Sequence, residues 1–175
     1  MVECDLPKVD TRFRLPPPAL NKIKMIKKLI LVRHGQYDNA GHLTDYGREK
    51  IKILAKKLKQ LVDDEMLVVV LASPAERTSE SAEVISKMFG VEFEKTDSLL
   101  SEGALYPMNL SRALELVKSK DKADIIILVT HFDYVADFPK YFSERELGIT
   151  LPSIEIGKGE AWVVDCLKKT LILVN

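Results

Sequence analysis

The chain has 175 residues, of which 46% are hydrophobic and 30% charged, and its formal net charge is zero. This length predicts one globular domain with a sizeable core. The zero net charge argues against a general nucleic-acid binder, which would carry a basic excess. No apolar stretch reaches the ~20 residues of a membrane helix, and the acidic N-terminus has no apolar signal segment. We therefore expect a cytoplasmic protein without nucleic-acid or membrane partners.

Residues 1–24 are predicted to be an N-terminal extension, because Pro16-Pro17-Pro18 excludes both a helix and a central strand there. A strap over the surface, a disordered tail and an upstream start are all open for this segment. A single domain is predicted over residues 25–175. Cys4 and Cys166 lie far apart and outside any C-x-x-C pattern, which predicts free thiols and leaves a disulfide as the alternative.

From residue 25 onward, strand and helix patterns alternate. Strands are predicted at 29–33, 66–72, 91–95 and 124–130, and helices at 76–89, 110–118 and 132–142, with Pro139 ending or kinking the last. Thr44 is predicted to cap a further helix whose apolar face is Ile51, Leu54, Ala55, Leu58 and Leu61. A short helix stopping at Gly148 and a hairpin of 161–165 and 170–174 follow. This order predicts an α/β fold, with a mostly parallel sheet and an antiparallel C-terminal edge.

Polar side chains follow three of the predicted strands directly. Arg33-His34-Gly35 follows the first, Ser73 follows the second with Arg77 one helical turn later, and His131 follows the strand at 124–130. Parallel strands end at the same edge of a sheet, where ligands bind in open α/β folds. Two histidines and two arginines are therefore predicted to converge, although they are distant in sequence.

Such a convergence suits phosphoryl chemistry. Two guanidinium groups and one imidazole can surround an anion with several oxygens, while the other imidazole attacks its centre. Glu102, in the 96–108 loop, is the carboxyl group best placed to give a proton to a leaving alkoxide. A solvated surface charge is the commoner role for a lone glutamate.

Metal catalysis is the competing interpretation of two histidines with acids. The histidines show neither H-x-x-x-H nor H-x-H spacing, and two arginines in the site would repel a divalent cation. We therefore expect no metal and no cofactor. His42, the third histidine, is predicted to lie on the surface or at the rim of the substrate site.

Five separated motifs occur in the following order: Arg33-His34-Gly35-Gln36, Leu43-Thr44 with Gly47, Ser73-Pro74-x-x-Arg77-Thr78-x-x-Ser81-Ala82, Leu99-x-x-Glu102-Gly103 and Val129-Thr130-His131. Together they resemble the histidine phosphatase superfamily, also called phosphoglycerate-mutase-like, and within it the short phosphatase branch. The resemblance spans roughly residues 25–166. It implies a three-layer α/β/α domain and a covalent phosphohistidine mechanism.

By this resemblance, His34 would be the nucleophile that is transiently phosphorylated. Arg33, Arg77 and His131 would bind the phosphoryl oxygens and stabilise the developing charge. Glu102 would be the general acid and then the base that activates water.

Smaller roles also follow from the resemblance. Asn39 is the candidate for a phosphate-contacting asparagine after the first motif, although its spacing is one residue shorter than the commonest form. Ser73 would shape the end of its strand and form a hydrogen bond near the His34 ring.

The chain departs from the family pattern at two positions. Phe132 stands where a small residue is usual, and Gln36 replaces the commoner glutamate. Phe132 and Tyr37 are candidates for an apolar wall beside the phosphate, with ordinary packing as the alternative. Tyr106 is a further candidate, whereas Tyr134 is expected to serve packing.

The expected function is a metal-independent phosphatase acting on phosphorylated small molecules or phosphoproteins. An aromatic wall would favour a phosphoprotein or an aryl ester over a small sugar phosphate. A phosphoglycerate-mutase-type phosphotransferase is one alternative, but only Lys87 and Lys95 supply basic residues between Arg77 and Glu102. A catalytically silent phosphate-binding scaffold is the other.

Overall fold

The computed structural model describes residues 26–101, 107–152 and 155–175. The predicted boundary between an extension and a domain at residue 25 lies at the edge of these ranges and stays a prediction. Cys4 lies outside them, whereas Cys166 is a buried free thiol, and burial raises its pKa to about 12.

Six strands and four α-helices alternate in the described ranges. In chain order they are β1 (Lys28–Arg33), α1 (Asp45–Lys59), β2 (Val68–Ala72), α2 (Glu76–Phe89), β3 (Phe93–Lys95), α3 (Leu110–Ser119), β4 (Ile125–Thr130), α4 (Phe132–Phe142), β5 (Ala161–Asp165) and β6 (Thr170–Val174). A 3₁₀ turn, Asp97–Leu99, follows β3, and a π-helical turn, Ser143–Leu147, follows α4. Within these ranges, no helix is both long and apolar enough to span a bilayer.

The strands form one sheet in the order β3-β2-β4-β1-β5-β6. The pairs β2–β3, β2–β4 and β1–β4 are parallel, and the pairs β1–β5 and β5–β6 are antiparallel. The predicted α/β fold, with a mostly parallel sheet and an antiparallel C-terminal edge, is confirmed.

Each face of the sheet is covered by a hydrophobic core. Leu29 and Leu31 of β1 pack with residues of α3 and α4 on one face. Ile30 and Val32 pack with residues of α1 and α2 on the other. Successive side chains of a strand point to opposite faces, so a strand buried on both faces is apolar throughout. These two cores give the three α/β/α layers.

The predicted cap at Thr44 is confirmed, and Asn109 and Gly90 define two further helix ends. The Thr44 hydroxyl accepts a hydrogen bond from the Gly47 amide at 3.0 Å, and the Asn109 side chain accepts one from the Arg112 amide at 2.9 Å. Both contacts satisfy amides that the first helical turn leaves without a backbone partner. Gly90 ends α2 in the left-handed conformation, with φ of 70°.

Several predicted boundaries are wrong by about two residues. Leu61 was expected on the apolar face of α1, but that helix ends at Lys59 and Leu61 is 37% exposed. The strand predicted from Met66 begins at Val68, because the Met66 amide is bonded in a turn to the Asp63 carbonyl. The strand predicted from Val91 begins at Phe93, because the Val91 amide completes the end of α2. Pro139 does not end α4, and the short helical turn does stop at Gly148.

Gly47 offers a test of how closely α1 packs on the loop after β1. A Cβ atom at this position would lie 2.1 Å from the Gln36 carbonyl oxygen and 2.7 Å from its amide nitrogen. Replacing a helical glycine with alanine ordinarily stabilises a protein by about 0.5–1 kcal/mol. We expect Gly47→Ala instead to lower the free energy of unfolding by about 1–3 kcal/mol, because backbone atoms must shift. Urea unfolding measures this difference.

Glu49→Ala, at an exposed position of the same helix, is the matched control and should change the free energy of unfolding by less than about 0.5 kcal/mol. Stabilisation by Gly47→Ala would contradict the described contact with Gln36.

Candidate active site

The carboxyl ends of β1, β2 and β4 meet at one edge of the sheet. Arg33 lies opposite Thr130, and Ala72 lies opposite Val129. His34, Ser73 and His131 therefore follow directly at the same edge. The rings of His34 and His131 are 5.7 Å apart between centroids. The structure thus brings together residues that are separated by up to 98 positions in the chain.

His34 is held in one tautomer by its neighbour. The ring is 4% exposed, and its Nδ1 atom lies 2.8 Å from the Gly35 carbonyl oxygen. A carbonyl oxygen can only accept a hydrogen bond, so Nδ1 carries the proton. In the neutral ring, the lone pair is then on Nε2.

The surroundings of His34 keep it neutral. Burial lowers its pKa to about 3, and the positive charges of Arg77 and Arg33, together with His131 whenever that ring is protonated, act in the same direction. The ring is therefore an available base and nucleophile at neutral pH. Because the unfolded ring binds a proton near pH 6.5 and the folded ring does not, this shift reduces stability as the pH falls below about 6.5.

Both ring nitrogens of His131 have partners. The Arg77 Nη2 atom donates to Nδ1 at 3.2 Å, so Nε2 carries the proton and donates to the Ser73 hydroxyl at 2.9 Å. Burial, followed by the charge of Arg77, lowers the His131 pKa to about 4. Ser73 was expected to bond near the His34 ring, and its recorded partner is the adjacent His131 ring.

Each arginine of the site lies against an aromatic ring. The Arg33 guanidinium carbon is 4.8 Å from the Phe132 centroid, and that of Arg77 is 4.9 Å from the Tyr37 centroid. These are cation–π distances, which orient a guanidinium without neutralising it. The Arg33 Nη1 atom also donates to the Ile156 carbonyl oxygen at 2.7 Å. Its Nε atom is buried and has no hydrogen-bond partner in the described ranges.

Ser81 connects the two halves of the site, a role that the sequence did not reveal. Its hydroxyl accepts a hydrogen bond from the Gly35 amide at 3.1 Å and donates one to the Arg77 carbonyl oxygen at 2.7 Å. Ser81 belongs to the motif quoted above, but a motif alone does not show that its hydroxyl joins the turn after β1 to the first turn of α2.

Lys158 is a further side chain that the sequence analysis missed. Its Nζ atom lies 4.3 Å from the centroid of the Tyr37 ring, which also contacts His34 edge-on at 5.1 Å. The adjacent Gly159 amide donates to the carbonyl oxygens of both Arg33 and His34, each at 3.1 Å. No local pattern in the sequence predicts this position, and the pairing of β5 with β1 is what brings the segment here.

Asn39 and Tyr134 form no hydrogen bond with the described residues of this cluster. Glu102 and Tyr106 lie outside the described residues. Asn39 is exposed in the turn after β1, and no hydrogen bond joins it to another described residue. Tyr134 is 1% exposed, and its hydroxyl accepts from the Asn109 amide and donates to the Ser98 carbonyl oxygen. Tyr134 therefore serves packing, as expected.

His42 lies on the surface beside α2. Its Nδ1 atom is 2.7 Å from a carboxylate oxygen of Glu80, which raises its pKa. In the described ranges, His42, Glu76 and Glu80 form a group of possible metal ligands within 4.8 Å of one another. Glu80 is already paired with Arg48 at 2.7 Å. The Arg48 guanidinium therefore competes with any metal ion for the Glu80 carboxylate.

The three histidines of the chain allow a direct test of their protonation. We expect neutral His34 to carry its proton on Nδ1 and neutral His131 on Nε2, and both to stay neutral as the pH falls through 6.5. His42 should titrate above that value because of its bond to Glu80. Imidazole ¹⁵N chemical shifts across a pH series report all three rings. A proton on Nε2 of neutral His34 would contradict the described tautomer.

The contact of Ser81 can be tested by removing its hydroxyl. We expect Ser81→Ala to lower the free energy of unfolding by about 1–3 kcal/mol, because the Gly35 amide then loses its hydrogen-bond partner. Ser119→Ala, which removes an exposed hydroxyl, should change it by less than about 0.5 kcal/mol. Equal effects of the two substitutions in chemical unfolding would show that Ser81 does not join the two segments.

Comparison with known proteins agrees with this geometry. A model of the histidine phosphatase superfamily (branch 1) matches residues 29–103. The serine/threonine-protein phosphatase Pgam5, mitochondrial, of Drosophila yakuba is 36% identical over 96 residues, which cover 49% of this chain and 32% of that protein. The chain thus spans about a third of the length of this curated relative. The prediction of a cytoplasmic protein is wrong by this comparison, since the relative is named mitochondrial.

Solved structures share the fold. The protein histidine phosphatase SixA complexed with tungstate superposes with a TM-score of 0.65 at 16% identity, covering 85% of this chain and 96% of that one. A mycobacterial glucosyl-3-phosphoglycerate phosphatase complexed with VO₃ gives 0.58 at 14% identity, covering 84% and 97%. The sequence match spans the motifs from β1 to the loop after β3, and the structural match extends over most of the remaining fold. Residues 29–103 therefore match the histidine phosphatase superfamily (branch 1) in sequence, and the described fold is the one that these solved phosphatases share.

Proposed function

We propose that this protein is a phosphatase that hydrolyses phosphomonoesters through a phosphohistidine intermediate on His34, without a metal or cofactor. The observation that carries the proposal is the hydrogen bond from His34 Nδ1 to the Gly35 carbonyl oxygen. It directs the lone pair of a neutral ring to Nε2, beside two arginines. A neutral nucleophile next to fixed positive charge is what attack on a phosphate dianion requires.

The proposed reaction has two steps. His34 Nε2 forms a bond to phosphorus, the bond from phosphorus to the ester oxygen breaks, and Glu102 gives its proton to the leaving alkoxide. The Glu102 carboxylate then takes a proton from water, the water oxygen attacks phosphorus, and inorganic phosphate leaves with the bond to Nε2 broken. The role of Glu102 rests on the family motif.

Arg33, Arg77 and His131 are proposed to bind the phosphoryl oxygens. The buried Nε atom of Arg33 is a donor that such an oxygen would satisfy. An anion would also favour protonation of His131, reversing part of the shift that Arg77 and burial impose. Helix α4 begins directly after His131, and the partial positive charge at its N-terminus adds to the same field.

A phosphoprotein is the favoured substrate class. Pgam5 is named a serine/threonine-protein phosphatase and SixA a protein histidine phosphatase. Phe132 is 36% exposed beside Arg33 and offers apolar surface to a peptide. Tyr37 is proposed as the second wall, although its ring also contacts Arg77. Asn39 is the weakest phosphate-binding candidate, because it lies exposed in a turn.

Hydrolysis of para-nitrophenyl phosphate by the full chain tests the nucleophile. We expect His34→Ala to lower kcat/KM by at least about 10³-fold, because the group that forms the covalent bond is lost. His42→Ala is the matched control, a histidine eight positions away and outside the site, and should change kcat/KM by less than about twofold. EDTA should leave the activity of the wild type unchanged, and loss of activity in EDTA would overturn the metal-independent mechanism.

The intermediate gives a second readout of the same proposal. Quenching during turnover should trap an acid-labile, alkali-stable phosphate on His34. A trapped phosphate on Ser73 or Cys166 would show a different nucleophile. Wild-type protein that binds phosphate but turns over no phosphoester would support a silent scaffold instead.

A further inference from the structure

Lys158 is a charged side chain at this edge of the sheet, and the proposed reaction does not use it. Its ammonium group contacts the Tyr37 ring at 4.3 Å, and in the described ranges it forms no ion pair. The nearby carboxylate of Glu160 is already engaged by Lys50 at 3.3 Å and by the Gly157 amide at 2.8 Å. The cation of Lys158 is therefore not neutralised by its own turn.

The position of Lys158 is set by backbone contacts. The Gly159 amide donates to the carbonyl oxygens of Arg33 and His34, and the Arg33 amide donates to the Glu160 carbonyl oxygen at 3.0 Å. Gly159 has φ of 71°, and a Cβ atom there would meet the Lys50 side chain at 3.1 Å. The turn of residues 157–160 is thus built against the nucleophile's own strand.

Tyr37 links Lys158 to the proposed phosphate site. Its ring contacts the guanidinium of Arg77 at 4.9 Å as well as the ammonium of Lys158. Two cations beside one ring repel each other, and a cation–π contact returns only about 0.5–1 kcal/mol at an exposed site. A second anionic group on the substrate, bound near Lys158, would offset this repulsion.

Lys158 is a further cation near the two arginines of the site, with the Tyr37 ring between it and Arg77. A phosphomonoester carries about two negative charges at neutral pH, and Arg33 and Arg77 already supply two positive charges beside His34. Lys158 adds a third. We propose that Lys158 binds a second anionic group on the substrate, a carboxylate or phosphate next to the scissile phosphate, and so selects acidic phosphomonoesters. This inference rests on the proposed function for the location of the scissile group.

Matched substrates test the selection. One pair is a phosphoserine peptide with an aspartate beside the phosphoserine and the same peptide with asparagine there. The other is 3-carboxyphenyl phosphate and phenyl phosphate. We expect wild type to prefer the acidic member of at least one pair by about tenfold in kcat/KM, the effect of one charge-assisted contact. Preference within the peptide pair alone assigns the anion to a protein substrate, and preference within the aryl pair alone assigns it to a small molecule.

Lys158 variants then identify the residue responsible. Lys158→Ala should abolish the preference by lowering kcat/KM for the acidic substrate while leaving kcat/KM for its neutral partner unchanged. Lys158→Glu should reverse the preference, and Lys158→Arg should retain it. Lys56→Ala, at an exposed position of α1, is the control and should leave the preference intact. Equal loss on both members of a pair, or no preference in the wild type, would overturn the inference.

A binding measurement separates this inference from catalysis. In the His34→Ala background, calorimetry should show that Lys158→Ala weakens pyrophosphate about tenfold while orthophosphate changes by less than about twofold. If the wild type hydrolyses no substrate, and Lys158→Ala still weakens pyrophosphate binding selectively, the proposed function fails and the role of Lys158 stands. If pyrophosphate binds equally well to both proteins, the role of Lys158 fails even where hydrolysis is observed.

Discussion

The pairing of β1 on both of its edges determines what surrounds the end of that strand. β4 runs parallel to β1, so Thr130 lies opposite Arg33 and His131 follows at the same edge. β5 runs antiparallel, so it begins where β1 ends, with Ala161 opposite Val32. β4 therefore contributes His131, the residue after its last position, and β5 contributes the turn of residues 157–160 that precedes its first position. The site therefore depends on β1 having a parallel neighbour on one edge and an antiparallel neighbour on the other.

This constraint explains which parts of the site could be predicted from sequence. His34 and His131 directly follow apolar strands, and the carboxyl ends of parallel strands share an edge whatever the strand order is. Lys158 precedes a strand, so its location depends on β5 pairing with β1 rather than with another strand, and local pattern does not carry that information. The end of α1 was predicted too late for a related reason. The apolar periodicity of the sequence continues to Leu61, although the helix ends at Lys59.

The electrostatics of the edge favour anions before any ligand arrives. Two histidines stay neutral because burial and the neighbouring arginines oppose their protonation. Each arginine lies against an aromatic ring, Arg33 against Phe132 and Arg77 against Tyr37, and such a contact orients a guanidinium without neutralising it. Fixed donors in a partly water-excluded site need little reorganisation when negative charge develops. The same burial that makes His34 a nucleophile thus preserves the field that a phosphoryl group requires.

The shared hydrogen bond of the Gly159 amide has a consequence for interpreting kinetics. Because that amide donates to the carbonyl oxygens of both Arg33 and His34, the turn of residues 157–160 is bonded directly to the backbone that carries the nucleophile. A substitution that displaces the turn would disturb these two hydrogen bonds, so we expect that a residue which only recognises the substrate can alter the chemical step. Recognition and reactivity are mechanically coupled here, and sensitivity of kcat to a substitution in this turn is not by itself a sign of a chemical role.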